Sequence, residues 1–344
     1  MPKKYSLAVR LTAALAAIVI FVALTEIVLR AGDVDDYFQN RFFVLNRALD
    51  YPDVFLRDHD LFWRFRPDRN ITSRFFQDKT YHINRLGLRG PDINAAKTLP
   101  RLITLGNSCT FGWGVPLEQT YARQLQRNLG NRYEVINGAV PGYTSFQGKT
   151  FLEEDLIKLQ PDIITVMFAW NDHWAAASQI PDKDQELPPE FILGLQNFMS
   201  RLHFYRFLKK TLLSAVETDP DSTFDRSRIV YRVGPGDFRA NLKEICAFAR
   251  ENGAVPVLLT SPVPALETYY PPGARSPMHA FHEKYNRIVR EISEEDDIPL
   301  VDLAREFDSY DGLWDDAKKD PIHFNARGHE LAAKLIADFI ERSF

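Results

Sequence analysis

Cysteine is nearly absent from this chain: two residues in 344, Cys109 and Cys246. Two thiols cannot build a disulfide framework, and alone they cannot hold a structural zinc ion. An excess of positive charge is missing as well. Lys and Arg number 42 against 46 Asp and Glu, a formal net charge of −4. With no basic field to hold a phosphate backbone, no nucleic-acid partner is expected. No internal repeat or low-complexity tract stands out. What the chain does have is 45% apolar and 26% charged residues, the balance of a globular protein that buries a core. Wholesale disorder, collagen and coiled coil are therefore excluded, and the length allows about two domains or one enlarged by insertions.

One long apolar run interrupts this ordinary composition. Lys3, Lys4 and Arg10 precede the stretch from Leu11 to Leu29, which is broken only by small or hydroxyl residues and Glu26. Its length is close to the ~20 residues needed to cross a hydrocarbon core as helix. Glu26 lies near the far end, where a carboxylate reaches the interface cheaply. No small-x-small cleavage signature follows, since the chain continues Ile27, Val28, Leu29, Arg30. We therefore read an uncleaved anchor rather than a cleaved signal peptide. A buried core helix fits poorly, because the run has no polar face. Asp33, Asp35 and Asp36 follow it, but Lys and Arg decide orientation, and they favour the amino terminus inside with the rest outside. Residues 1–10 are thus expected as a cytoplasmic tail, 11–29 as a single-pass anchor, and the remainder as extracytoplasmic.

Residues 30–97 are rich in aromatics and turn formers without a helical stripe. Phe62, Trp63 and Phe65 lie before Pro67, and Leu86–Pro91 reads as an ordered turn. This segment is expected to be a membrane-proximal extension packed on the main domain, 98–344. From Arg101 onward short apolar strands are predicted at 101–105, 133–137, 162–168, 254–260 and 298–302. Helical stripes come between or after them. Phe238, Leu242, Ile245, Cys246 and Ala249 share one face, with Gly253 as a stop; Phe281, Tyr285, Ile288, Val289 and Ile292 share another. Leu331, Leu335, Ile336, Phe339 and Ile340 mark a terminal helix. Strands apolar on both faces, alternating with helices, imply an α/β fold with a helix-covered parallel sheet, whose sites form at the carboxyl ends of strands. Residues 174–233 break the rhythm with Pro181, Pro188 and Pro189, then aromatics mixed with Arg201, Arg206, Lys209 and Lys210. We read an insertion: a solvated helical excursion, a lid over the site, or a patch lying on lipid near the anchor.

Four short segments carry chemistry. Leu105–Gly112 leaves the first strand, Asn137–Ser145 the second and Phe168–Asp172 the third, while Asp320–Phe324 enters the terminal helix. Ser108 sits in a glycine-flanked turn after a strand, where a hydroxyl can protrude. A serine hydroxyl needs a base to take its proton, and His323 is available for that. Asp320, three residues earlier, can accept from the other ring nitrogen and stabilise the imidazolium. The N–H groups of Ser108 and Gly142 and the Asn171 amide can face a developing oxyanion, each such donor typically contributing about 3–4 kcal/mol. Singly these residues are ordinary: a turn serine, a capping asparagine, an aspartate answering a helix dipole. Together their order, placement and type describe acyl transfer.

These four segments resemble the four blocks of the SGNH, or GDSL-type, hydrolase superfamily: Gly-Asp-Ser, a block-two glycine, Gly-x-Asn-Asp, and Asp-x-x-His near the carboxyl end. The resemblance covers roughly residues 98–344. It implies Ser108 as nucleophile, Gly142 and Asn171 in the oxyanion hole with Ser108, His323 as base and Asp320 as its partner. It further implies a flavodoxin-like three-layer sandwich with a five-stranded parallel sheet, and no required metal or organic cofactor. The anchor and the Gly87-Leu88-Arg89-Gly90 element look like a membrane-tethered bacterial branch, which implies an inner-membrane protein with a periplasmic catalytic domain. Two departures stand out. Asn107 replaces the block-one Asp, keeping an acceptor and losing a charge, and Ala169 replaces the block-three Gly, adding a methyl where the backbone turns.

The resulting expectation is a membrane-anchored serine esterase acting on O-acyl, including O-acetyl, esters of envelope or exported glycans. Three alternatives stay open: an O-acyltransferase using the same residues, a lipid-acting lysophospholipase or thioesterase, and a non-catalytic glycan-binding protein. Several residues are set aside. Cys109 is expected to pack rather than react, since successive side chains leaving a strand point apart, and Cys246 belongs to a buried stripe. Asp58-His59-Asp60, Asp172-His173 and His329 lack a spacing that singles out a metal ion. Asn70-Ile71-Thr72 matches a glycosylation acceptor that matters only in a glycosylating secretory pathway. Trp113 and Trp170 are read as pocket-lining or core aromatics.

Overall fold

The computed structural model describes residues 6–32, 51–72, 79–176, 179–216, 229–264, 277–317 and 319–344. The Lys3, Lys4, Asp33, Asp35 and Asp36 charges used for orientation lie outside them, as do parts of the expected extension and insertion. The apolar run forms helix α1 (Leu7–Gly32), longer than the 11–29 span expected. It runs past Leu29 where Arg30 donates to Glu26 one turn earlier, at 2.7 Å. By length and composition α1 is sufficient to cross a membrane.

The aromatic extension folds as two antiparallel hairpins, β1 (Phe55–Asp58) with β2 (Phe62–Phe65) and β3 (Arg69–Thr72) with β4 (Thr80–Ile83). Asp58 closes the first turn by accepting from the Asp60 and Leu61 amides, the local bonding that suits aspartate to turns. Phe55 stacks on Phe65 at 4.9 Å and Phe65 on Phe111 at 5.4 Å, so this segment shares the core of the main domain. In the Leu86–Pro91 turn, Asn84 Oδ1 accepts from the Leu86 and Leu88 amides. The turn delivers Arg89 into the interior, where it donates to the carbonyls of Phe111, Gly112 and Val115.

The main domain carries a parallel five-stranded sheet: β5 (Arg101–Gly106), β6 (Glu134–Ala139), β7 (Ile163–Met167), β8 (Val255–Leu259) and β9 (Leu300–Val301), in spatial order β6-β5-β7-β8-β9. The predicted strands match these within one or two residues. Side chains alternate between faces: Ile103, Leu105, Ile164 and Val166 join one buried cluster, Leu102, Ile163 and Met167 the other. Helices α4 (Ser145–Glu154), α7 (Pro235–Glu251) and α8 (Pro277–Glu295) cover the first face. Helices α3 (Tyr121–Leu129), α9 (Leu303–Phe307) and α10 (Ala326–Ser343) cover the second. The predicted stripe of α7 is buried throughout. On α10 the fully buried face is Ala332, Ala333, Ile336, Ala337 and Ile340; Leu331, Leu335 and Phe339 are only partly buried, because alanines at the contact let the helix approach closely. Gly106 pairs with Ala139 on one side and Met167 on the other. Strands β5, β6 and β7 therefore end at one level, and their following loops open onto the same edge. In this strand order that edge, beside β5 and β7, is where the connections diverge and a crevice forms.

The extension is tied to this edge through Trp63, which packs on Tyr143 at 5.7 Å while its carbonyl accepts from the Tyr143 hydroxyl at 2.6 Å. Trp63→Ala is expected to destabilise the protein by about 3–5 kcal/mol, measured by chemical denaturation of the full chain in detergent micelles. A loss below about 1 kcal/mol would mean that the extension does not share the core.

Candidate active site

Strand β5 ends at Gly106 and the chain turns at once into a single helical turn, α2 (Ser108–Phe111). A Cβ at Gly106 would lie 2.2 Å from Thr110 Oγ1 and 2.7 Å from the Met167 carbonyl, so only glycine lets the turn pack this tightly on the strand end. Asn107 caps it, its Oδ1 accepting from the Cys109 amide at 3.0 Å. The turn brings the Ser108 side chain to the sheet edge.

The opposing wall is the loop before α10. Asp320 Oδ1 accepts from the Ile322 and His323 amides at 3.1 and 3.0 Å, which folds the loop around the carboxylate. Asp320 Oδ2 lies 2.8 Å from His323 Nδ1, and His323 Nε2 lies 2.8 Å from Ser108 Oγ. With Nδ1–H donating to the carboxylate, Nε2 is left as acceptor for the serine hydroxyl. Burial raises the Asp320 carboxyl, but the His323 bond and charge and the two backbone donors outweigh it, holding the group below the ordinary carboxylate value. Asp320 thus stays ionised at neutral pH. The Trp113 ring stacks on the imidazole at 5.5 Å, restricting its rotation.

The loops after β6 and β7 complete the edge. Gly142 adopts φ +84°, a left-handed conformation that glycine takes without strain. One Asn171 amide hydrogen is donated to the Tyr143 carbonyl at 2.9 Å, which leaves the second hydrogen of the NH₂ group. Ser108, Gly142 and Asn171 are therefore brought to the carboxyl ends of three neighbouring strands, as their spacing suggested.

The groups holding these loops were missed in the sequence. Asp172, fully buried, accepts from the Ser145 amide at 2.8 Å and the Ala169 amide at 3.1 Å, tying the β6 and β7 loops together. Burial pushes its carboxyl up to about 6 although the Ser145 and Ala169 donors and the Arg232 charge favour the anion. Arg232 pairs with Asp182 at 2.7 Å, and its Nη1 donates to the Gly142 carbonyl at 2.8 Å. Thr144 also donates to Asp182 at 2.9 Å. Asp182 and Arg232 lie near the two ends of the 174–233 insertion, so no local pattern connects them. Asp172 closes the Phe168–Asp172 segment and the Gly-x-Asn-Asp block, but nothing in the sequence shows that it ties two loops together.

The remaining candidates are engaged elsewhere. Cys109 Sγ–H donates to the Ile322 carbonyl at 3.4 Å, and burial, with the nearby Asp320 charge, pushes the thiol far above its ordinary value. Ser108 and Cys109 point apart because they are adjacent on a helical turn, not because they leave a strand. Cys109 joins the loops that carry Ser108 and His323. His173 Nε2 meets His282 Nδ1 at 3.0 Å, and His282 Nε2–H donates to the Ser261 carbonyl at 2.9 Å. His329 Nδ1 accepts from the Tyr121 amide. His59 bonds Asp60, while Asp58 pairs with Arg64. No group of three or more metal-capable side chains occurs among the described residues. Trp170 is buried, donating to the Pro262 carbonyl at 3.3 Å. Asn70 lies on exposed β3, its Oδ1 bonded to His82.

Two cavities open nearby. The larger, about 220 Å³, runs under Arg89 and Arg123 and touches neither Ser108 nor His323. The smaller, about 150 Å³, is lined by His323, Asp320 and Trp113, with Lys79, Asp315 and Lys319 at its rim. Of these two, only the smaller touches the imidazole, and neither is lined by Ser108, Gly142 or Asn171.

Residues 104–331 match the GDSL-like Lipase/Acylhydrolase family. Among solved structures, the lipase/acylhydrolase from Enterococcus faecalis is similar at 17% identity over 71% of this chain and 96% of its own, with a TM-score of 0.46. The acetyl xylan esterase AlAXEase is similar at 15% identity over 69% and 98%, with a TM-score of 0.47. Axe2, an acetylxylan esterase from Geobacillus stearothermophilus, is similar at 18% identity over 71% and 94%, with a TM-score of 0.45. No curated protein sequence matches the chain.

The Ala169 substitution carries a measurable cost. Ala169 has φ +131°, a region that a residue with a Cβ enters only under strain, of order 1–3 kcal/mol. Ala169→Gly is expected to raise stability by about 1 kcal/mol after the chain-entropy cost of glycine, read as a higher thermal midpoint. A lower midpoint would show that the surrounding packing, not the backbone, decides this position.

Proposed function

The chain belongs to the GDSL-like lipase/acylhydrolase family, and from that premise we propose that it is an extracytoplasmic, membrane-anchored serine esterase that works through an acyl-enzyme on Ser108. It is an enzyme of ester hydrolysis. The observation that carries the specific mechanism is the continuous relay of hydrogen bonds, both 2.8 Å, from Ser108 Oγ through His323 to Asp320.

In the proposed reaction Ser108 Oγ attacks the ester carbonyl carbon as its proton passes to His323 Nε2. The carbonyl π pair moves onto oxygen, and the resulting oxyanion is met by the Ser108 and Gly142 N–H groups and the remaining Asn171 amide hydrogen. Asp320 stabilises the imidazolium through Nδ1. The pair then returns, the bond to the alcohol breaks, and His323 gives its proton to the leaving oxygen. Water, deprotonated by His323, attacks the acyl-enzyme; the acid departs and Ser108 regains its proton. The Asp320 side chain is 38% exposed, so water reaches the relay, which supports hydrolysis over transfer to a second alcohol.

A cavity of about 150 Å³ opens on the His323, Asp320 and Trp113 side of the serine, away from Gly142 and Asn171, a place for the alcohol part of an ester. Its charged rim and the Trp113 face suit a polyhydroxylated alcohol, so O-acetylated glycan is the substrate class we infer. Helix α1 serves as the anchor in this reading, with Arg10 and the preceding lysines on the cytoplasmic side.

Ser108→Ala is expected to lower kcat by about 10⁴-fold or more, and Asp320→Asn by about 10²–10⁴-fold, with circular dichroism unchanged. The assay is an aryl-ester panel on the full chain in detergent, in which acetyl esters should turn over faster than long-chain esters. Near-native turnover by Ser108→Ala would remove the acyl-enzyme assignment; preference for long chains would remove the glycan-acetate assignment.

A further inference from the structure

The middle of the insertion folds as two helices, α5 (Glu190–Met199) and α6 (His203–Val216). One face of α5 is pinned to the main domain: Asn197 exchanges two hydrogen bonds with the Arg57 backbone, 2.7 and 2.9 Å, and Leu193 is buried. The opposite face presents Phe191, Leu195 and Phe198, all more than 60% exposed, at the i, i+4, i+7 spacing of one helical stripe. On α6, Leu208 and Leu212 are exposed as well. Large apolar side chains exposed together on one helical stripe mark an interaction surface.

What covers it follows from where it is fastened. Glu26 of α1 accepts from the His203 and Phe204 amides at 3.1 and 2.8 Å, so a carboxylate of the apolar helix caps the start of α6. Phe21 meets Phe204 edge-on, and Arg30 donates to the Arg201 carbonyl. On the amino-terminal side of this joint Leu11, Leu15, Ile18 and Val19 have no protein cover. From Leu11, the first residue after Arg10, to Glu26 the helix rises about 22 Å, most of the thickness of a hydrocarbon core. The joint therefore sits where α1 leaves the bilayer, and the apolar faces of α5 and α6 are attached at that level. Arg201, exposed, lies beside Phe198, a cation over an apolar body, suited to a phosphate headgroup.

We propose that α5 and α6 form an interfacial platform, docking the domain flat on the bilayer surface with Phe191, Leu195, Phe198, Leu208 and Leu212 in the headgroup–acyl boundary. This rests on the reading of α1 as a membrane anchor. Docking at the platform fixes the attitude of the catalytic edge, because α5 is bonded to β1, whose partner strand β2 carries the Trp63 that packs on Tyr143.

The test uses the full chain in phosphatidylcholine–phosphatidylglycerol vesicles, with the fluorophore NBD placed singly by Leu195→Cys, Leu212→Cys, Val19→Cys or Leu86→Cys. Cys109 and Cys246 are buried and should not label in the folded protein, which the unsubstituted chain verifies. Labels at 195 and 212 are expected to emit at shorter wavelength and to lose intensity when lipids carry a nitroxide near the headgroup. The label at 86, on an exposed turn, is expected to do neither. Water-like, unquenched labels at 195 and 212 beside a quenched label at 19 overturn the platform and leave the anchor intact. An unquenched label at 19 overturns both.

Discussion

An imidazole held 2.8 Å from one hydroxyl across 215 residues of chain is the contact on which the rest of the structure depends. Ser108 and His323 belong to different loops, and nothing local would keep them together. Three constraints do. Gly106 allows the β5 end and α2 to pack without a Cβ between them. Asp320 folds its own loop by accepting two backbone amides before it meets the ring. Cys109 reaches across to the Ile322 carbonyl, a weak bond but one between the two loops concerned. The geometry is overdetermined, as a preorganised site requires, since misplacement by an ångström costs large factors in rate.

The donor side of the site is built differently, from buried charge rather than from a turn. Asp172 and the Asp182–Arg232 pair sit beneath the β6 and β7 loops, and nearly every oxygen they offer is used on a backbone amide, a hydroxyl or a guanidinium. Ion pairs this deep are poor sources of net stability because desolvation offsets the attraction. Their contribution here is positional: Arg232 clamps the Gly142 carbonyl, and Asp172 joins Ser145 to Ala169. The insertion is thereby more than a surface excursion, for its two ends are part of the framework under the proposed oxyanion site.

Alternation of apolar strands with helical stripes made the sheet legible, because a strand buried on both faces leaves an unmistakable run, and Leu102–Leu105 or Ile163–Met167 need little context. The strand-end residues were legible for the same reason: a serine, a glycine and an asparagine each closing such a run fall on one edge once the order is flavodoxin-like. The hairpins of the extension were not, since Phe62, Trp63 and Phe65 read as aromatic turn-rich sequence until their partners Asp58, Arg57 and Phe55 are known. Arg232 and Asp182 were invisible because a buried ion pair 50 residues apart has no period. On α10 the larger apolar residues dominate the sequence pattern, whereas close packing puts Ala332, Ala333 and Ala337 on the buried face.

The two departures from the family blocks then take on physical meaning. Asn107 still caps α2, so the lost charge leaves the turn standing, while its Nδ2 stays buried without a partner among the described residues. Ala169 holds a conformation that glycine would occupy freely, and it does so with its amide bound to Asp172. Both changes store unfavourable free energy beside the site, and neither touches the Ser108–His323–Asp320 relay. Local rules are broken where the surrounding framework is strong enough to hold the consequence. That framework extends outward from Asp172 and Arg232 through Tyr143 and Trp63 to the hairpin of β1 and β2, and from β1 to α5. The same chain of contacts that supports the strained loop therefore also sets the orientation in which any surface carrying α5 would present it.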